Sequence, residues 1–349
     1  MMGRSNWDPR SGHDDMTDDI PNAAPPTLVR ALTACNTIIA DTYKTSNARA
    51  ISHQRVHRTM ALVAAIAGTI AVLLAIFQLY QPLPLAWPMV VETLAAASAT
   101  CAVVAGMVWA YQTRWLLFRH KAERCRLVKF RSLIDASYWC GDEAAWRTHL
   151  NDAIVTITAL APRDMLVWCR DETVVRRRTT PAPCSLDPET VRALVSYYRT
   201  HRLKVQIEYF TDRAERNEGF DRWTRTLPHI LFFCSITAVF AHFLIDAWPL
   251  EEDGLHTLSI TFILLAASFP VIGAGVRTFR FSFEFARSAS LFRAKQRALE
   301  RLDRQLAAEA DQVRPESSEI LNILAQCEDF LEAEHREWLR LMIETEWFL

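Results

Sequence analysis

The chain lacks an excess of either charge: 39 Lys and Arg stand against 40 Asp and Glu across 349 residues, a net charge of −1. A protein that neutralises a phosphate backbone needs a basic surplus, so no nucleic-acid partner is expected. Paired cysteines are missing too. The eight thiols (Cys35, Cys101, Cys125, Cys140, Cys169, Cys184, Cys234 and Cys327) form no C-x-x-C pair. Their spacing fits neither a zinc site nor a compact disulfide framework, and free, structural thiols are expected. The sequence also has no nucleophile elbow, no H-E-x-x-H and no glycine-rich loop after a strand. Gly273-Ala274-Gly275 has no Lys-Ser/Thr behind it and sits in an apolar run, so it is no phosphate cradle. The expectation is a protein that is not an enzyme and holds no cofactor or metal. No secretory leader is read at the start, because a long polar stretch precedes the first apolar block.

What is present is segregation. Charged residues make up 23% of the chain, yet mean hydropathy is +0.02, so apolar residues must lie in blocks. That excludes a disordered chain and argues against an ordinary soluble enzyme. Crossing a ~30 Å hydrocarbon core at 1.5 Å per residue takes about 20 apolar residues. Four blocks qualify, at 61–80, 89–111, 229–248 and 258–276. The fold class expected is an all-α membrane protein of four spans in two hairpins, with long helical extensions outside the bilayer.

Flanking charge orients the spans. Lys44, Arg49, Arg55 and Arg58 precede the first, and Arg114, Arg119, Lys121, Arg124 and Arg126 follow the second. Arg213, Arg216, Arg222 and Arg225 precede the third, and Arg277, Arg280 and Arg287 follow the fourth. The short loops at 81–88 and 249–256 contain no Lys or Arg. By the positive-inside rule both loops face outward, and both termini and the middle segment are cytoplasmic. Tyr80, Trp87, Trp109, Tyr111, Trp115, Trp223 and Trp248 sit at block ends, as interfacial aromatic belts do.

The chain divides accordingly. Residues 1–26 are acidic and Pro-rich and read as disordered; 27–140 and 187–312 each hold a span pair with lead-in and exit helices. Residues 141–186, broken by Pro162, Pro181 and Pro183, read as an irregular connector, and 313–349 as an amphipathic C-terminal helix. Nothing interrupts Trp109–Trp115, so the second span should run on as one long helix, and the fourth should do so through Leu306, kinked at Pro270. The SLDPET stretch reads as a cap followed by a helix. Tyr43-x-Thr45-x-x-Ala48 and Tyr209-x-Thr211-x-x-Ala214 echo each other, which admits either an internal repeat of like orientation or chance.

Several groups invite a functional reading beside a plain one. Glu251, Glu252 and Asp253 place three carboxylates at an outer turn, with His242 and Asp246 below them on the third span and Glu92 at the start of the second. In an oligomer they would line an outer vestibule and gather cations; otherwise they are a solubilising turn and a span end. Ala64 with Gly68, and Ser98, Ala102 and Gly106, form small-residue stripes that let helices pack in lipid. Arg176-Arg177-Arg178 would grip phosphate or anionic headgroups, or be solvated charge beside the membrane.

The second lead-in reads Tyr198-Arg199-x-x-Arg202-Leu203-x-x-Gln206-Ile207-x-Tyr209-Phe210-x-x-Arg213-Ala214-x-x-Asn217. It resembles the corresponding helix of the SLATT family, the SMODS- and SLOG-associating two-transmembrane effector domains of bacteria. Arg119-x-Lys121-Ala122-Glu123-x-x-Arg126 is similar to that family's exit pattern, and Phe210 departs from it where Tyr is usual. The likeness spans residues 27–345, as in members with two fused hairpins. It implies a membrane effector of bacterial conflict systems, linked to a cytoplasmic nucleotide-signal sensor or partner protein. It further implies a homo-oligomer in the lipid bilayer that opens a pore on activation, and it brings no catalytic residues. Two other readings of the layout are a membrane-anchored sensor or scaffold that conducts nothing, and a secondary transporter. The transporter is disfavoured because Pro270 has no counterpart in the second span.

Overall fold

A computed structural model describes residues 16, 20, 24–80, 87–139, 141–170, 186–247, 253–283, 285–312 and 316–344. Among these residues every regular element is a helix. In chain order they are α1 (Pro26–Tyr80), α2 (Trp87–Trp109), α3 (Tyr111–Ile134), α4 (Ala136–Trp139), α5 (Glu143–Ala159) and α6 (Pro162–Arg170). There follow α7 (Pro188–Tyr198), α8 (Lys204–Asp246), α9 (Asp253–Phe283), α10 (Phe285–Ala310) and α11 (Ser317–Glu344). Four helical stretches are long and apolar enough to cross a membrane, within 26–78, 87–109, 188–246 and 257–277. They contain or closely match the four expected blocks. The acidic stretch read as disordered falls almost wholly outside the described residues.

The chain forms two compact units that cut across its linear order. The first comprises residues 1–55, 111–211 and 293–349, and the second 56–110 and 212–292. The sorting is by solvent: the second unit collects the four apolar runs and the first collects the amphipathic helices around them in sequence. α1 and α8 each contribute residues to both units.

The second unit buries little of its apolar surface against protein. Leu94 is 61% exposed, Phe233 66% and Met107 75%. Such a surface is stable only against hydrocarbon or another subunit. What holds the runs to one another is close approach and a few polar contacts. A Cβ at Gly68 would stand 4.0 Å from that of Ala99, and one at Gly273 3.9 Å from the Cα of Pro228. Ser235 donates to the Ala266 carbonyl at 2.8 Å. Nearer the basic flanks Arg280 donates twice to one carboxylate oxygen of Asp221, at 3.1 and 2.9 Å. Pro270 lies within α9, which continues on both sides of it, and Pro228 lies likewise within α8.

The first unit has an ordinary core. Leu28, Leu32 and Ile39 of α1, Leu116, Phe130 and Leu133 of α3, and Leu150 and Ile157 of α5 are almost fully enclosed. Buried thiols belong to it: burial pushes Cys35, Cys125 and Cys327 up to about 12, the marks of inert, packed cysteines. All six described cysteines are free; Cys140 and Cys184 lie outside the described residues.

Two expectations are corrected. The second span does not run on as one helix: α2 ends at Trp109, and Ala110 turns into the left-handed region with φ +46° before α3 begins. The fourth span's helix is described to Phe283 and again from Phe285 to Ala310, and residue 284 between them lies outside the described residues. The connector at 141–186 is not irregular over its first part, because α5 and α6 occupy 143–170. Asp142 caps α5 by accepting from the Ala145 N–H at 3.0 Å, and Pro162 starts α6 rather than breaking a helix. The cap read at SLDPET is present, with Asp187 accepting from the Glu189 and Thr190 N–H groups at 3.0 Å.

Left-handed backbone costs a residue bearing a Cβ about 1–2 kcal/mol relative to right-handed helix. Ala110→Gly should therefore raise the thermal midpoint of the purified protein in detergent, read by circular dichroism, whereas a continuous helix there would be weakened by glycine.

Candidate functional site

The family-like lead-in motif is built into the first unit. Tyr198 ends α7, and a single wide turn of π-helix, Arg199–Leu203, joins it to α8, with the Lys204 N–H bonding the Arg199 carbonyl five residues back. Such turns mark places where side-chain direction matters more than helix regularity. Here they aim a cluster at α11. Arg202 grips Glu328 bidentately, Nε to Oε1 at 2.9 Å and Nη2 to Oε2 at 3.0 Å. The Tyr198 hydroxyl donates to Oε1 at 2.6 Å. Arg202 is 2% exposed and Glu328 0%. The Arg202 guanidinium also lies 4.9 Å from the Phe130 ring centre, and Phe130 meets Tyr198 edge to face. Burial, with Glu328 beside it, holds the Tyr198 phenol well above its usual range.

A second group lies on α3. Arg119 and Arg126 both pair with Glu123, the latter at 2.7 Å, and Arg126 donates to the Tyr43 hydroxyl of α1 at 2.7 Å. Burial pushes the Glu123 carboxyl up, but Arg119, Arg126 and Arg202 outweigh it and hold the group below its ordinary value. On α11 Glu334 pairs with Lys295 of α10 at 3.3 Å, and its burial leaves its carboxyl raised. Glu123, Leu127, Arg202, Gln206, Leu331, Glu334 and His335 line an enclosed space of about 20 Å³. That is room for about one water.

Beside this space His120 of α3 and His335 of α11 stack, ring centres 5.3 Å apart, with His120 Nδ1 3.1 Å from His335 Nε2. Trp168 of α6 packs on both, and the Arg336 guanidinium lies 4.4 Å from its ring centre. The result is a seam joining α1, α3, α6, α8, α10 and α11 through charged groups that water barely reaches.

The predicted outer residues fare differently. His242 Nδ1 lies 2.6 Å from the Ser259 hydroxyl, linking α8 to α9 inside the apolar runs. Asp246, one turn on, is exposed; Glu92 is half-buried in α2; Asp253 is the first residue of α9. Glu251 and Glu252 lie outside the described residues, as do Arg176, Arg177 and Arg178. In the small-residue stripes Gly68 faces Ala99, while Ser98 is exposed; Ala64, Ala102 and Gly106 are half-buried. Of the motif, Tyr198, Arg202, Gln206 and Tyr209 belong to the first unit, and Ala214 is buried in the second. Asn217 bonds only its own helix, at the Arg213 carbonyl, 2.9 Å away.

Sequence reasoning missed the partners on α11. Glu328, Glu332, His335 and Arg336 are all buried, although they flank the apolar face rather than form it. Their sole sequence signal is that they directly adjoin Cys327, Leu331 and the end of that face. Among the described residues no group of three or more His, Cys, Asp or Glu side chains is disposed to hold a metal ion. No protein-family model, no curated protein and no solved structure matches the chain.

Removing one partner of a buried ion pair leaves the other charge uncompensated, at a cost of about 3–5 kcal/mol. Arg202→Met and Glu328→Leu should each lower stability by that order, and the double variant should recover much of it. A double-mutant cycle on unfolding in detergent measures the coupling; additive losses would mean the pair is not the buried unit described.

Proposed function

We propose that the chain is a membrane effector that permeabilises the bacterial inner membrane as a homo-oligomer. On this reading both termini are cytoplasmic, the first unit receives the signal, and the second conducts. The observation that carries the proposal is the pairing of a polar contact within the apolar runs, His242 with Ser259, with apolar faces that find no protein partner in one chain. Ionisable groups inside spans face a cavity or a partner far more often than lipid. The likeness of the lead-in motif to SLATT effectors supports the same reading, and with it a nucleotide-signal sensor or partner protein on the cytoplasmic side. Signal would pass along α1 and α8, which have residues in both units, as a shift between closed and open packings. His242, Asp246 and the Glu251–Asp253 turn would form the outer vestibule.

A scarcity of charge deep in the apolar runs favours a second reading, a membrane-anchored sensor or scaffold. Induced expression in bacteria with a potential-sensitive dye separates the two. Conduction predicts depolarisation, on induction alone or once phage infection supplies a signal. It also predicts a weaker response when His242, Asp246, Glu251, Glu252 and Asp253 are neutralised together. A correctly inserted protein that leaves the potential unchanged under both conditions would establish the scaffold.

A further inference from the structure

We propose that the His120–His335 pair is a proton-binding site, and that protonating both rings releases α11 from α3 when the surrounding solution acidifies. This inference concerns the first unit alone and stands whether or not the spans conduct.

The geometry sets the condition. A hydrogen bond between two imidazoles needs an N–H on one ring and a lone pair on the other. At 3.1 Å the pair is satisfied when both rings are neutral or one is charged, and it repels when both carry a proton. Neither ring can turn to water, since His120 is 1% exposed and His335 6%. The rings lie nearly parallel, at 12°, with Trp168 of α6 against both at 4.6 and 5.5 Å between centres.

The charges around the pair oppose a further positive one. From α3 they are Arg119, Glu123, Arg124 and Arg126, and from α11 Glu332, Glu334 and Arg336. Arg202 of the π turn, which lines the same small cavity, is already committed to Glu328, and Lys295 of α10 is held by Glu334. Glu332 is likewise shared between Arg131 and Arg336. The carboxylates are thus occupied by arginine and lysine, and none is paired with an imidazole. Burial first, then the neighbouring ring and Arg124 for His120, and Arg119 and Arg124 for His335, hold both rings well below the ordinary histidine range.

The sign follows. In the unfolded chain each histidine binds its proton near pH 6.5, while in the packed seam it does so only at lower pH. Above pH 6.5 the packed form keeps its full stability. As pH falls through 6.5 toward the depressed values, the open form takes up more protons and gains by up to about tenfold per pH unit per histidine. Glu334 works the other way: its raised carboxyl binds a proton in the packed form before it would in the open one. It sets one proton against two.

Hydrogen exchange on the full chain in detergent, corrected for the pH dependence of intrinsic exchange, tests this. Between pH 7.5 and 5.5 protection across α11 should fall by about ten- to a hundredfold. Protection across the first turns of α5, where Trp146 donates to the Ser132 carbonyl of α3, should change little. Glu334→Gln should steepen the fall, and His120→Gln with His335→Leu should flatten it. Unchanged α11 protection, or equal loss in α5 and α11, would overturn the proposal. Both outcomes are read on the unaltered chain, so failure of the double variant to fold does not shelter it.

Discussion

Glu328 is a carboxylate from which water is wholly excluded, and the first unit is arranged around that constraint. An ion buried alone costs several kcal/mol even after relaxation, so its oxygens must be met by fixed donors. Arg202 supplies a planar fork and Tyr198 a hydroxyl, and both are delivered by the π turn that separates α7 from α8. The guanidinium in turn rests on the Phe130 face, which fixes where α3 must run. One ionic contact therefore specifies the mutual position of three helices, where apolar packing alone would tolerate a slide by a turn. The same logic repeats at Glu123 and Glu332, each held by two arginines. The interior is specified by charge and filled by leucine.

The second unit obeys the opposite rule. Its side chains carry almost no specificity, and its contacts are those available when lipid is as apolar as leucine: glycine and alanine at close approach, and isolated hydroxyls such as Ser235 and Ser259. Span positions were legible in the sequence for this reason. A bilayer imposes length and apolarity directly on composition, and no tertiary contact has to be known. Helix ends governed by local chemistry were equally legible, as at Asp187. Ala110 was not, because left-handed alanine leaves no compositional mark, and neither was α6, whose Pro162 looks like a breaker and acts as a starter.

The seam was the least legible part. The motif residues Tyr198, Arg202 and Gln206 stood out in the sequence, but a motif does not say what faces it. Glu328 lies 126 residues beyond Arg202, on a helix whose amphipathic pattern marks an apolar face and gives Glu328 no partner. Periodicity assigns charged residues beside a stripe to water, and it fails where another helix brings countercharge. His335 is the clearest case: alone it is an ordinary flank residue, and only α3 makes it half of a pair.

Two solvents and two kinds of contact meet on shared helices. α8 begins at the charged seam and ends among the apolar runs, and α1 likewise contributes to both units. A helix backbone is hydrogen-bonded throughout, so rotation or translation at one end is carried to the other unless a break absorbs it. The break among the described residues lies elsewhere, at Ala110 after α2. Of the apolar runs, those of α1 and α8 are thus continuous with the ionic unit, and that of α2 is jointed to it. On the proposed reading this asymmetry decides which helices move on signal: α1 and α8 would follow the seam, and α2 would supply the frame against which they move.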